Sequence, residues 1–311
     1  MNTTGEVRAD HQNTPASRRP DRLTLAVFLF SVVLGGGNGV GVRFSNMELP
    51  PFWGAAIRFA CASMLLLGVV LLRRAAWPRG RALVGVLLYG LLGFGASYAF
   101  IYWGLVKVPA GLAQVVLALV PLLTFFLAML HRQETFRWRG LLGGVLAVGG
   151  IGIAYSAQLG GDVPLLSLLA VAASTACTAE AAVVVKQFPR SDPVVTNALA
   201  MGAGSLLLLA LSLVTGEHWS LPTRTSTWIA VVYLIIVGSI AVFTLYLFVL
   251  RRWTASATTY GFVLIPFVTV LVSAWLTGEA ITPALLIGGA LVLVGVWVGA
   301  LMQPTAKARR S

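Results

Sequence analysis

The chain has 311 residues, of which 58% are hydrophobic and only 10% charged; a soluble surface needs about 25% charged residues, so an integral membrane protein is expected. A formal net charge of +12 suits a nucleic-acid binder, but the Lys and Arg residues stand in short runs between long apolar stretches. Membrane topology imposes that pattern, so no nucleic-acid partner is expected.

Residues 1–22 are polar, carry Pro15 and Pro20 and lack apolar periodicity, which predicts a disordered cytoplasmic tail. Arg18, Arg19 and Arg22 flank the first apolar run, and no small-residue cleavage site follows it, so an uncleaved first helix is expected. Ten apolar stretches follow one another, each of about 18 to 23 residues and long enough to cross about 30 Å of hydrocarbon. They run near Leu23 to Val42, Phe52 to Leu72, Ala82 to Trp103, Gly111 to Leu130, Trp138 to Tyr155, Val163 to Val185, Val194 to Val214, Thr227 to Leu250, Ala257 to Thr277 and Pro283 to Met302. The sixth is the least apolar, because Ser174, Thr175, Thr178 and Glu180 interrupt it.

Loop charges retain the sixth span. With the amino terminus in the cytoplasm, eighteen of the 22 Lys and Arg residues fall in cytoplasmic segments. Only Arg43, Lys107 and Arg224 fall outside, and Arg58 lies within a span. Dropping the sixth span would invert this bias in the second half. A multi-pass protein of the cytoplasmic membrane is expected, with both termini, including the tail 303–311, on the cytoplasmic side.

The stretch from Pro121 to Glu134 reappears from Pro266 to Glu279. At one offset of 145, Pro121, Thr124, Glu134, Gly143, Gly144 and Gly150 map onto Pro266, Thr269, Glu279, Gly288, Gly289 and Gly295. Leucines would match by composition alone; a proline, a threonine, a glutamate and three glycines in one register mark an internal repeat. The first two spans of each half align at an offset of 142, with Pro51 over Pro193 and Asn38 over Glu180. Five spans per repeat is an odd number, so the second copy is upside down. The expected fold is an all-α membrane protein of ten transmembrane helices, built as two inverted five-helix repeats over residues 23–157 and 158–302, with a substrate site near the midplane between them.

These landmarks resemble the EamA family of the drug/metabolite transporter superfamily. The resemblance rests on ELPPFWGAAIRF from Glu48 to Phe59, YWGLVKVPAGLAQ from Tyr102 to Gln114, and the Pro121 to Glu134 unit. In the second half it rests on DPVVT from Asp192, LRRWTASATTY from Leu250, and the run from Pro266 to Thr282. It covers nearly the whole chain after the tail. It implies export or exchange of small metabolites by alternating access, without fixing the substrate. The first repeat departs from the family pattern by carrying His-Arg-Gln before Glu134, where the second has Gly278 before Glu279. Glu180 is also unusual, in a span that lines the central cavity of such transporters.

An ionisable group inside a span costs about 2.5 to 3.5 kcal/mol to insert, so it calls for a partner or a cavity. Arg58 and Glu180 are the two such groups, each about 9 Å from its interface at the helical rise. Arg58 reads either as an anchor bonded to neighbouring carbonyls or as a fork for an anionic group of the substrate. Glu180 reads either as an acid satisfied by Ser or Thr hydroxyls or by Lys186, or as a substrate-binding and proton-coupling carboxylate whose surroundings alternate. Asn38, inside GGGNGVG, is a helix contact or a substrate amide near Arg58. Tyr98, Tyr102, Tyr246 and Tyr260 are candidate walls of an apolar cavity, with Gln114 a further candidate. Trp53, Trp138 and Trp228 suit the interfacial belts.

The small-xxx-small pairs, such as Gly35 with Gly39 and Gly295 with Gly299, suit packing within the monomer and leave a homodimer open. Cys61 and Cys177 lie inside spans, and His11, His131 and His218 lie far apart and read as solvated, so neither a disulfide framework nor a metal site is expected. No P-loop, HExxH or GxSxG is present, so no enzyme activity and no cofactor is expected. Secondary transport of a small-molecule metabolite, in contact with membrane lipid, is the expected function, with export of amino acids or related metabolites as the direction. An enzyme acting on lipid would need a cluster of polar residues at the membrane surface, and a scaffold has no need of a cavity.

Overall fold

The structure is a computed structural model that describes residues 21–105, 107–108, 110–156, 163–277 and 282–302. Most of the amino-terminal tail, the carboxy-terminal tail and Gly278 with Glu279 lie outside the described residues. Eight helical stretches there are long and apolar enough to cross a membrane. Spans one to four are Arg22–Val42, Pro51–Leu72, Arg81–Leu105 and Ala113–Leu130. Spans six, seven, eight and ten are Leu165–Gln187, Pro193–Val214, Thr225–Leu250 and Pro283–Leu301. Two shorter apolar stretches, span five at Trp138–Ala154 and span nine at Ala255–Leu271, bring the number to the expected ten.

Local chemistry starts these helices where the chain needs them. The Asp21 carboxylate accepts the Thr24 amide, Asp192 accepts those of Val194 and Val195, and Thr254 and Thr282 accept those of Ala257 and Leu285. Pro51, Pro193 and Pro283 sit in first turns, where a missing N–H costs nothing. Further along, Pro121 has no N–H to give Leu117, and span four breaks into Ala110–Leu117 and Val120–Leu130.

Packing follows the repeat. Span five lies against span ten and span two against span seven, so each pairs with its own counterpart. At the first seam a Cβ on Gly143 would fall 2.6 Å from the Gly295 carbonyl oxygen, and one on Gly288 would fall 2.4 Å from that of Gly150. Gly143 and Gly150 map onto Gly288 and Gly295, so each glycine meets the counterpart of the other, as a two-fold axis requires. Close backbone approach of this kind is what small residues permit between helices in lipid. The glycines of span one are likewise used within the chain: Gly35 and Gly39 face Ile265 and Thr269 of span nine, and Gly37 and Gly41 face Tyr233 and Leu234 of span eight.

Carboxylates of one half hold helix starts of the other. Glu217, before span eight, accepts the amides of Phe52 and Trp53 at 3.1 and 2.8 Å, at the start of span two. Glu48, before span two, accepts those of Thr223 and Arg224 at 3.2 and 3.1 Å, at the start of span eight. On the opposite face Glu134 accepts the amide and the hydroxyl of Ser256, at the start of span nine, at 3.1 and 2.7 Å. These are anions at helix N-termini, where the unpaired amides and the helix dipole favour them. Glu134 also pairs with Arg137 at 2.8 Å, with its side chain 4% exposed. The glutamate of the repeated stretch is therefore a cap.

Candidate functional site

A cavity of two lobes lies between the halves. One lobe, of about 200 Å³, is walled by spans one, eight and nine, with Phe28, Ser31, Asn38 and Thr258 on its surface. The other, of about 210 Å³, is walled by spans three, four and six, with Tyr89, Ser97, Ser174 and Thr178 on its surface. Tyr98, Phe243, Tyr246 and Phe262 line both lobes and stand where they meet. The repeat explains this arrangement. Spans three, four and six are the counterparts of eight, nine and one, and the offset of 145 carries Tyr98 onto Phe243, Ile101 onto Tyr246 and Leu117 onto Phe262. The lobes are thus two renderings of one site.

Spans three and eight each contain a π-helical segment, Leu91–Ala96 and Ile236–Ala241, again 145 residues apart. Such segments interrupt the i to i−4 ladder and expose carbonyls to other donors. In span eight the Gly238 carbonyl accepts from the Arg58 guanidinium at 3.0 Å and from the Asn38 amide at 3.2 Å. The Ser239 hydroxyl accepts from Arg58 Nε at 2.7 Å and donates to the Leu234 carbonyl at 2.8 Å. Arg58 is 3% exposed, and the rings of Phe59 and Tyr98 lie 5.0 and 5.8 Å from its central carbon. Every partner is neutral: among the described residues no carboxylate lies within 4.0 Å of Arg58. A buried cation held only by neutral groups leaves its field unbalanced beside the cavity. Asn38 adds an acceptor, since its Oδ1 is buried without a partner.

The two lobes have different polar equipment. Near the second, the Ser97 hydroxyl lies 2.7 Å from that of Thr178 and 3.3 Å from that of Ser174. No ionisable group is among these three.

The remaining sequence-predicted residues lie elsewhere. Glu180 pairs with His131 through Nε2 at 3.1 Å, each about a quarter exposed, and His131 Nδ1 lies 3.0 Å from Gln187 Oε1. This corrects two expectations: the partner of Glu180 is neither Lys186 nor a hydroxyl, and His131 is not simply solvated. Six helical residues turn Lys186 about 240° away from Glu180, and the Lys186 ammonium bonds the Trp253 carbonyl instead. Tyr102 is buried behind Tyr98 with ring centroids 6.2 Å apart. Tyr260 points its hydroxyl at the Gly140 carbonyl, at 3.3 Å, close against Gly299, so its ring fills the packing of spans five and ten. Gln114 is half-buried one turn before Leu117. Neither these four nor Arg58 is among the residues that line either lobe. Sequence reasoning missed Phe243, Phe262, Gly238 and Ser239; the offset of 145 applied to Tyr98 and Leu117 finds the first two.

Inverted helical repeats with a cavity at their interface are an architecture of membrane transporters. The EamA-like transporter family matches the chain twice, at residues 22–156 and 165–300. The chain is 30% identical to the inner membrane transporter YedA of Escherichia coli over 261 residues, 83% of each chain. It is 27% identical to the probable terminal-alkyne amino-acid exporter of Streptantibioticus cattleyicolor over 86% of each. With the probable amino-acid metabolite efflux pump of Salmonella typhimurium it shares 28% identity over 91% of this chain and 95% of that one. One crystal structure matches the fold with a TM-score of 0.76 at 21% identity, covering 90% of this chain and 97% of the other. The chain belongs to the EamA-like transporter family.

Proposed function

We propose that the protein is a secondary transporter that exports amino acids or related small metabolites across the cytoplasmic membrane by alternating access. The observation that carries this reading is the two-lobed cavity divided by the repeat mates Tyr98 and Phe243. When two inverted copies exchange conformations, what one copy does on one face the other does on the opposite face. A shared divider then becomes the point about which access alternates.

In this reading Arg58 receives the carboxylate of the substrate and Asn38 its polar neighbour, while Tyr98, Tyr246, Phe243 and Phe262 receive the apolar body. Two relatives with exporter or efflux names that specify amino acids support that class of cargo. Tyr102 positions Tyr98 from behind. Glu180 is the coupling group: protonation of its carboxylate releases His131 and frees the loop that joins spans four and five. The arginine-rich face, which carries both termini, is cytoplasmic. Uptake into proteoliposomes with a panel of amino acids and related metabolites, with and without a pH gradient, tests the proposal. Flux of an amino acid, saturable and abolished by a competing analogue, is expected; no flux of any solute would overturn it.

A further inference from the structure

We propose that a crevice on the arginine-rich face, between the ends of spans three, six, seven and eight, is a binding site for the phosphate of an anionic phospholipid. It is separate from the transport cavity and holds whether or not the transport reading does. Its volume is about 70 Å³, room for one phosphate group and not for a nucleotide. Lys186, Arg190 and Arg251 stand around it together with Ser191 and Thr196, and Val86, Val185, Phe188, Leu247 and Leu250 also line it. Arg190 and Arg251 beside an apolar floor match a charged headgroup attached to a hydrocarbon body; Lys186 adds its charge while bonded to the Trp253 carbonyl, and the Ser191 and Thr196 hydroxyls are taken up by each other and by the Asp192 carbonyl. A free anion would have no use for the floor.

The cations come from separate elements. Lys186 ends span six, Arg190 follows it, and Arg251 follows span eight. Among the described residues none of the three makes an ion pair. The nearby acids are otherwise engaged: Asp192 caps span seven through the amides of Val194 and Val195, and Glu134 holds Ser256 and Arg137. Burial lowers the pKa of the Arg251 guanidinium and Arg190 pushes the same way, with Asp192 opposing. Loop topology needs basic residues on this face; it does not need them around one crevice.

Native mass spectrometry of the full-length protein in detergent tests the site, with phosphatidylglycerol and phosphatidylcholine offered in competition. The intact protein is expected to retain phosphatidylglycerol in preference. The pair Arg190→Gln with Arg251→Gln is expected to lower that retention about tenfold, whereas Arg73→Gln with Arg139→Gln, which removes the same charge elsewhere on the face, leaves it nearly unchanged. An equal loss in both pairs, or no preference for phosphatidylglycerol, would overturn the site. Displacement of the lipid by millimolar inorganic phosphate would overturn the lipid assignment in favour of a free anion. Arg190 is exposed, so Arg190→Gln alone, expected to lower retention about threefold, decides the matter if the double variant does not fold.

Discussion

Asn38 and Arg58, twenty residues apart on different helices, donate to one acceptor, the Gly238 carbonyl oxygen, at 3.2 and 3.0 Å. That carbonyl is available because span eight is π-helical there. A backbone irregularity in the second repeat thereby ties Asn38, which lines the first lobe, to Arg58, which lines neither lobe.

Gly238 is needed for this junction, because a Cβ built on it would lie 2.0 Å from Asn38 Oδ1 and 3.3 Å from Arg58 Nη2. Gly238→Ala is expected to destabilise the protein by about 1 to 3 kcal/mol through overpacking. Gly68→Ala has nothing within 4 Å of the added carbon and is expected to be neutral or stabilising by up to about 1 kcal/mol. Thermal unfolding of the two variants in detergent checks the contrast. Equal shifts would show that the junction is not rigid.

Arg58 separates anchoring from recognition. Arg58→Lys keeps the charge but loses the two-pronged geometry that reaches both Gly238 and Ser239. Loss of one charge-assisted bond is expected to lower stability by about 1 to 3 kcal/mol. If Arg58 also receives the substrate carboxylate, affinity for the acid is expected to fall at least about tenfold, while an uncharged analogue of the same shape is little affected. Competition assays with the acid and its amide measure the difference. Equal losses for both leave Arg58 an anchor.

Much of this was legible in the residues, and the rest was hidden for physical reasons. The spans followed from hydropathy, and the inverted arrangement followed from a register that no composition produces. Tyr98 and Tyr246 could be suspected because aromatic side chains wall cavities, whereas Tyr260 carries the same chemistry and spends it on packing against Gly299. The choice among them depends on the direction of each ring around its helix. Gly238 left no mark because its contribution is a backbone carbonyl. His131 follows the end of span four and Glu180 lies about two turns inside span six, and only the docking of span four on span six joins them.

Glu48 makes acid stability testable. The Thr223 hydroxyl, then that of Thr227, and behind them the Arg224 and Thr223 amides hold its carboxyl down to about 2 from an ordinary value of 4.5, against the opposing effect of burial. A depressed folded-state value means that the ionised contact stabilises the fold above pH 4.5 and is lost as pH falls toward 2. Glu48→Gln is therefore expected to unfold at a lower temperature than the native protein near pH 7. The gap should narrow below pH 4.5 and close near pH 2. Melting temperatures across that range check it, and a gap that does not change with pH would remove ionisation as the cause.

Glu180 and His131 offer the decisive test of coupling. The pair joins a helical carboxylate to a loop imidazole, and the second oxygen of Glu180 is buried without a hydrogen-bond partner. In the proposed coupling, loss of this contact is what joins Glu180 to movement of the loop. Glu180→Gln imitates the protonated state permanently. It is expected to leave substrate exchange without a pH gradient within about twofold of the native rate, and to abolish accumulation driven by the gradient. His131→Gln removes the imidazole but keeps the carboxylate, so gradient-driven flux is expected to persist. If Glu180→Gln transports as before and still responds to the gradient, the pair is a structural clasp and coupling belongs to another group.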